Sequence, residues 1–138
     1  MPEEAPVLRN ITVREYMSPA PITVAPDTDI QEAIRLLLEH RISGMPVVDA
    51  HGNLVGMLSE RDCMKVALDA AYHESAAGKV RDFMSPEVET VYLDDTVVEL
   101  AERFYTKPFR RYPVIDEENR LVGIIARRDV LRALQRLW

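Results

Sequence analysis

At 138 residues the chain has room for one domain or two very small ones. Its composition, 47% apolar and 29% charged, is that of a globular protein and excludes general disorder. The net charge of −6 argues against nucleic acid or an anionic membrane as a general partner, since both require a basic surface.

Residues 1–10 read as an N-terminal arm without the basic and apolar regions of a signal peptide. A short segment then runs to Met17-Ser18-Pro19, where proline disfavours helix in the residue before it. A β-rich piece, Pro21-Ile22-Thr23-Val24, follows. Asp27, Thr28 or Asp29 then caps a helix whose apolar positions Ile30, Ala33, Ile34 and Leu37 step i, i+3, i+4, i+7. Two short strands, Met45–Val48 and Leu54–Leu58, flank the turn-rich Asp49-Ala50-His51-Gly52-Asn53. A second helix carries Cys63, Val66, Ala67 and Ala70 on one face, and residues around 71–79 form a connection.

The same elements then recur. Residues 13–70 superpose on 80–137 at a constant offset of 67, without a gap, and 17 of 58 positions are identical. Met-Ser-Pro returns at Met84, Thr-Val at Thr90, Pro-Val-x-Asp at Pro113, Leu-Val-Gly at Leu121 and Arg-Asp at Arg128. The second copy predicts a β piece at Glu89-Thr90-Val91-Tyr92. It predicts a helix capped by Asp94, Asp95 or Thr96 with Val97, Leu100, Ala101 and Phe104 inward. Strands Tyr112–Ile115 and Leu121–Ile125 follow, then a last helix with Val130, Ala133, Leu134 and Leu137 on one face. A repeat this long is a supersecondary unit, here β-α-β-β-α. The predicted fold class is α/β, two such tandem repeats related by a pseudo-twofold. Its boundaries are an arm at 1–10, repeat 1 at 11–72, a linker at 73–79 and repeat 2 at 80–138.

Ser59-x-x-Asp62 lies where a strand meets a helix. Ser59 caps and Asp62 complements the positive end of the helix dipole. Free N–H groups at a helix start also hold anions, a serine hydroxyl can join them, and a carboxylate nearby can accept ribose hydroxyls. The two readings are compatible. Repeat 2 has Ala126 at the serine position and keeps Asp129. Arg110-Arg111 reads either as a solvated pair or as a phosphate contact, for which guanidinium is well shaped. The repeat 1 counterparts, Ser43 and Gly44, are uncharged. Gly56 and Gly123 lie in mid-strand, where a ligand or a helix must approach closely.

Cys63 aligns with Val130 and reads as core; a single cysteine excludes an intrachain disulfide framework. His40, His51 and His73 lack metal-ligand spacing, so no metal site is expected. No nucleophile-base or paired-carboxylate pattern appears, so no catalytic residue and no enzyme activity are expected. Trp138, at the end of the sequence, reads as an interface or cleft-edge contact. No apolar run approaches the roughly 18 residues of a membrane span, and a cytoplasmic location is expected.

The ordered set Met-Ser-Pro, Thr-Val, amphipathic helix, Ser-Gly-Met-Pro-Val-Val-Asp and Leu-Val-Gly-Met-Leu-Ser-Glu-Arg-Asp resembles a CBS domain. The tandem pair, over about 11–137, resembles a Bateman module. The resemblance implies a regulatory module that binds an adenosyl compound (AMP, ADP or ATP, with S-adenosylmethionine or NAD also possible) between repeats. It implies a primary cleft of Ser59 and Asp62 with Thr90, Val91, Arg110, Arg111 and Tyr112. A second cleft takes Arg128 and Asp129 with Thr23, Val24, Ser43, Gly44 and Met45. No cofactor is required. A homodimer is expected, with an unidentified protein partner possible and neither nucleic acid nor membrane bound. The alternative is a structural or protein-interaction module without nucleotide, which Ala126 favours.

Overall fold

The computed structural model describes residues 8–138; the part of the predicted arm at 1–7 lies outside the described residues. A 3₁₀ turn at Leu8–Asn10 opens the described chain. The helices are α1 (Val13–Tyr16), α2 (Ile30–His40), α3 (Glu60–His73), α4 (Val80–Phe83), α5 (Val97–Thr106) and α6 (Arg127–Gln135). The strands are β1 (Gly44–Val48), β2 (Leu54–Ser59), β3 (Val91–Tyr92), β4 (Arg111–Ile115) and β5 (Leu121–Ala126). The four predicted hairpin strands are therefore present, each longer by one residue: Gly44 and Arg111 are added at the start of β1 and β4, Ser59 and Ala126 at the close of β2 and β5.

The chain folds into two compact units that do not follow the sequence repeats. A central unit spans residues 21–88; a terminal unit joins 8–20 to 89–138. The terminal unit thus takes its opening segment, with α1, from repeat 1 and its body from repeat 2. The central unit takes its body from repeat 1 and its closing segment, α4 and Met84-Ser85-Pro86, from repeat 2.

In the central unit β1 and β2 form an antiparallel pair. Its core gathers Val24, Ile30, Ala33, Leu37, Met45, Val47, Leu58, Cys63, Val66 and Val80. Asp29 caps α2, its carboxylate accepting from Gln31 N–H at 2.8 Å. Ile30, Ala33 and Leu37 are buried as the helical period requires, with Ile34 half-buried beside them. In the terminal unit β3 runs parallel to β4, and β4 antiparallel to β5. One core cluster holds Val13, Val91, Leu100, Phe104, Tyr112, Val114 and Ile125. A second holds Ile11, Val97 and Ala133, with Leu8 packed on it. Thr96 caps α5: its hydroxyl accepts from Glu99 N–H at 3.2 Å, and Glu99 accepts from Thr96 N–H at 3.1 Å.

Three details differ from the sequence reading. The β-rich piece of repeat 1 is not a strand but a single parallel bridge, Val24 to Val47. Pro21 and Pro26 bracket it and supply no N–H for a longer ladder. The apolar face of the last helix in each repeat is narrower than its sequence stripe: Ala67 is exposed, and Leu137 lies beyond the end of α6.

The third detail concerns the mid-strand glycines, which are crowded by neither a ligand nor a helix. A Cβ on Gly56 would stand 2.6 Å from Met84 Sδ and 3.0 Å from the Ser85 carbonyl. A Cβ on Gly123 would stand 2.6 Å from Met17 Sδ and 2.8 Å from the Ser18 carbonyl. The repeated Met-Ser-Pro is the neighbour. Ser18 forms an antiparallel bridge with Ile124, and Ser85 with Met57. Glycine and Met-Ser-Pro recur together because one fits the other. Each pair is long-range in sequence, since Met-Ser-Pro of one repeat packs on the glycine strand of the other.

Candidate functional site

In each unit the loop before the first hairpin strand lies against the helix that follows the second. In the central unit, Glu60 N–H donates to the Ser43 carbonyl at 2.8 Å, and Gly44 is paired with Ser59. In the terminal unit, Arg127 N–H donates to the Arg110 carbonyl at 3.3 Å, and Arg111 is paired with Ala126. Ser43, Gly44, Ser59 and Asp62 therefore share one edge, and Arg110, Arg111 and Asp129 share its counterpart. The resemblance divides each of these sets between two clefts; within a unit their members are neighbours.

Ser59 and Asp62 make a complete capping box on α3. Asp62 N–H donates to Ser59 Oγ at 3.1 Å, and Ser59 N–H donates to Asp62 Oδ2 at 2.9 Å. Both residues are half-buried, and Asp62 Oδ1 has no hydrogen bond among the described residues. Asp129 is placed differently. It is 8% exposed, its Oδ2 accepts from Ala126 N–H at 2.8 Å, and its Oδ1 is paired with Arg132 at 2.7 Å. Ala126 gives α6 no side-chain cap, so among the described residues Asp129 supplies the only side-chain acceptor at that helix start. Ala126→Ser restores the missing half of the box. It is expected to raise unfolding stability by about 1 kcal/mol, read as a higher urea midpoint at constant slope.

Several residues named from sequence bury their side chains in the cores. Met45, Val91 and Tyr112 are at most 1% exposed and Val24 is 5% exposed, which leaves only backbone for contact with a ligand. Val24 has committed even that: its N–H donates to the Pro46 carbonyl and its carbonyl accepts from Val48. The Tyr112 ring packs on Phe104, and its buried hydroxyl has no hydrogen-bond partner. Thr23 and Thr90 are half-buried. Arg110 and Arg128 are exposed and Arg111 is half-buried. Burial pushes the Cys63 thiol pKa up, as expected of a core cysteine and not of a nucleophile. His40, His51 and His73 are exposed, and no metal-binding cluster exists among the described residues. Trp138 is 89% exposed.

Sequence reasoning passed over a group of charges beside Thr90. Arg103 of α5 donates to the Thr90 carbonyl at 2.9 Å and pairs with Glu89 at 3.3 Å. Its guanidinium carbon stands 4.3 Å from the centre of the Tyr112 ring. Lys107 also binds Glu89 and is the main reason the Glu89 carboxyl titrates below its usual range. The repeat itself carried the signal. Glu89, Arg103, Lys107 and Tyr112 stand where repeat 1 has Ile22, Leu36, His40 and Met45, so two apolar positions change together to opposite charges.

Two open concavities in the terminal unit enclose about 380 and 480 Å³. Arg14, Tyr92, Asp94 and Asp116 line the first; Phe104, Tyr105, Val130 and Leu131 line the second. None of the sequence-assigned ligand residues lines either. No helix among the described residues is long and apolar enough to cross a membrane.

Comparison with known proteins places this geometry in a family. The CBS domain model matches residues 13–69 and again 80–136. Inosine-5'-monophosphate dehydrogenase of Methanocaldococcus jannaschii is 39% identical over 111 residues, which is 80% of this chain and 21% of that protein. The CBS domain-containing chloroplastic protein CBSX1 of Arabidopsis thaliana is 31% identical over 154 residues, covering 88% of this chain and 63% of that protein. The chain thus spans between about a fifth and two thirds of these curated relatives. Among solved structures, CBSX2 in complex with AMP superposes with a TM-score of 0.81 at 29% identity, over 92% of this chain and 98% of that one. The CBS domain pair of protein MJ0100, in complex with 5'-methylthioadenosine and S-adenosyl-L-methionine, superposes with a TM-score of 0.73 at 30% identity, over 90% and 95%. The chain belongs to the CBS domain family and carries the domain twice, as a tandem pair.

Proposed function

We propose that this CBS pair is a regulatory module that binds an adenosyl ligand of the AMP, ADP or ATP class. The observation that carries the reading is the near full-length match to a CBS pair that holds AMP; a second CBS pair holds other adenosyl compounds. The residues of the central unit support it. Ser59 and Asp62 are fixed by the capping box at the start of a 14-residue helix, whose dipole favours an anion, while Asp62 Oδ1 stays open for a ribose hydroxyl. Thr90, Val91, Arg110, Arg111 and Tyr112 are the repeat 2 contacts that the resemblance assigns to the same ligand. Arg110 is its first choice for phosphate, being exposed and cationic.

The second set keeps Thr23, Val24, Ser43, Gly44, Met45, Arg128 and Asp129, with a weaker case. Asp129 has both carboxylate oxygens engaged within its unit, which favours a structural role there. Signalling proceeds by a change in repeat or dimer geometry, which a ligand drives only through its affinity difference between two states. A homodimer or a separate protein reads the change.

Isothermal titration of AMP and then ATP into wild type, Asp62→Ala and Asp129→Asn tests the assignment. The expected outcome is binding in wild type and in Asp129→Asn, with a loss of about tenfold or more in Asp62→Ala, since a hydrogen bond to a charged group contributes roughly 1.5–3 kcal/mol. Unchanged affinity in Asp62→Ala removes the central-unit site. Absence of binding by any nucleotide leaves the interaction module as the better account.

A further inference from the structure

The geometry points to Arg103 as a positioning residue for ligand binding: it sets the backbone of Glu89–Val91 without touching the ligand. The inference rests on the proposed function, because that segment is the one assigned to the adenosyl group. Thr90 is the pivot. Its carbonyl is held by Arg103 Nη1 at 2.9 Å, across the gap between the segment and α5. A side-chain donor thus fixes the direction of this peptide, just before β3 begins at Val91.

Arg103 is itself held by two further groups, one of them braced from behind. Glu89 takes its Nη2 at 3.3 Å, the Tyr112 ring lies beneath it, and Lys107 fixes Glu89 from the next turn of α5. Tyr112 is in turn braced by Phe104, with ring centres 4.9 Å apart, and by Phe109, at 5.8 Å. The Arg103 side chain is 28% exposed, so it works largely out of water, where a fork bonded to a carbonyl and a carboxylate holds its direction.

The repeat supplies an internal control. Ile22, Leu36, Ile42 and Met45 stand at the positions of Glu89, Arg103, Phe109 and Tyr112. Leu36, Ile42 and Met45 all belong to or pack against the central core. The fold therefore accepts apolar packing at these sites and needs no guanidinium there. Repeat 2 spends three charged side chains where repeat 1 uses none, and what they add is a fixed Thr90 carbonyl. Arg103 is thus a positioning group, one layer behind the ligand-facing backbone.

The test titrates AMP and, separately, adenosine into wild type, Arg103→Leu, Arg103→Lys and Glu89→Ile/Arg103→Leu. Melting temperatures are recorded alongside. The double variant recreates the Ile22 and Leu36 pair of repeat 1 and is expected to melt with wild type. The inference expects Arg103→Leu and the double variant to lose affinity by about tenfold or more, as partners one layer behind a ligand do. The loss should be equal for AMP and adenosine, since Arg103 does not meet the phosphate. Arg103→Lys, which keeps one donor for Thr90, recovers part of it.

Wild-type affinity in the double variant shows packing alone and overturns the inference. A loss confined to AMP shows direct phosphate contact and overturns it equally, while the proposed function stands in both cases. Wild type binding neither AMP nor adenosine overturns the inference, and the proposed function falls with it only where ATP, titrated alongside, does not bind either.

Discussion

Gly123→Val is expected to lower unfolding stability by about 3 kcal/mol, the upper end of the cost of forcing extra atoms into a packed site. The position is crowded by two atoms of different stiffness. Met17 Sδ, at 2.6 Å from the new Cβ, is the end of a flexible side chain and can swing aside. The Ser18 carbonyl, at 2.8 Å, cannot: it accepts from Ile124 N–H at 2.9 Å, while Ser18 N–H donates back to the Ile124 carbonyl at 2.8 Å. Relieving the clash breaks that bridge and frees the opening segment from β5. Gly123→Ala is expected to cost less, about 1–2 kcal/mol, because a smaller unfolded-state entropy offsets part of the strain. Met17→Ala in the same chain should recover only the sulfur's share. Gly56→Ala should be milder than Gly123→Ala, since the Ser85 carbonyl stands farther off, at 3.0 Å. Urea denaturation measures all four. A Gly123→Val midpoint equal to wild type would mean that Met17-Ser18 is not held against β5.

Asp129→Ala is expected to cost about 2 kcal/mol, and Asp62→Ala about half of that. The two residues stand at equivalent places in the repeat, yet the starts of their helices differ. Removing the Asp62 carboxylate leaves Ser59 Oγ to cap α3 as before, so one of two cap bonds survives. Removing the Asp129 carboxylate leaves α6 with no side-chain cap, because position 126 is alanine. It also leaves the Ala126 amide without its acceptor and removes the ion pair to Arg132. Asp129→Asn keeps an acceptor for Ala126 N–H and should lose less than Asp129→Ala. Combining Asp129→Ala with Ala126→Ser should return about 1 kcal/mol of the loss. Equal costs at positions 62 and 129 would show that capping is not what separates the repeats.

These expectations trace back to what the residues disclosed unaided. Helical periodicity picked out Ile30, Ala33, Ile34, Leu37, Val97, Leu100, Ala101 and Phe104; six are buried, and Ile34 and Ala101 are half-buried. Period and capping are local, and local signals survive in one dimension. The hairpins were legible for the same reason: turn-forming residues separate short apolar runs at both copies. Even the weak start of α6 could be read, since a missing hydroxyl at Ala126 is a fact of composition. The offset of 67 between copies gave the family pattern its specificity, because the ordered set recurs as a whole.

What the linear chain could not disclose is which segment meets which. Met-Ser-Pro was visible twice, and so was the mid-strand glycine, but their fit joins Met17 to Gly123 and Met84 to Gly56. That pairing spans the repeats and depends on the compact units being interleaved along the chain. Burial likewise withdrew the side chains of Met45, Val91 and Tyr112 from ligand contact, because an apolar or aromatic residue on a strand looks the same whether its side chain faces a core or a cleft. Arg103 shows the same limit from the other direction. In sequence it is one more charge on an amphipathic helix; folded, it is the donor that fixes the Thr90 carbonyl. Local chemistry determined the elements of this protein, and only long-range packing decided which of its polar groups remain free to act.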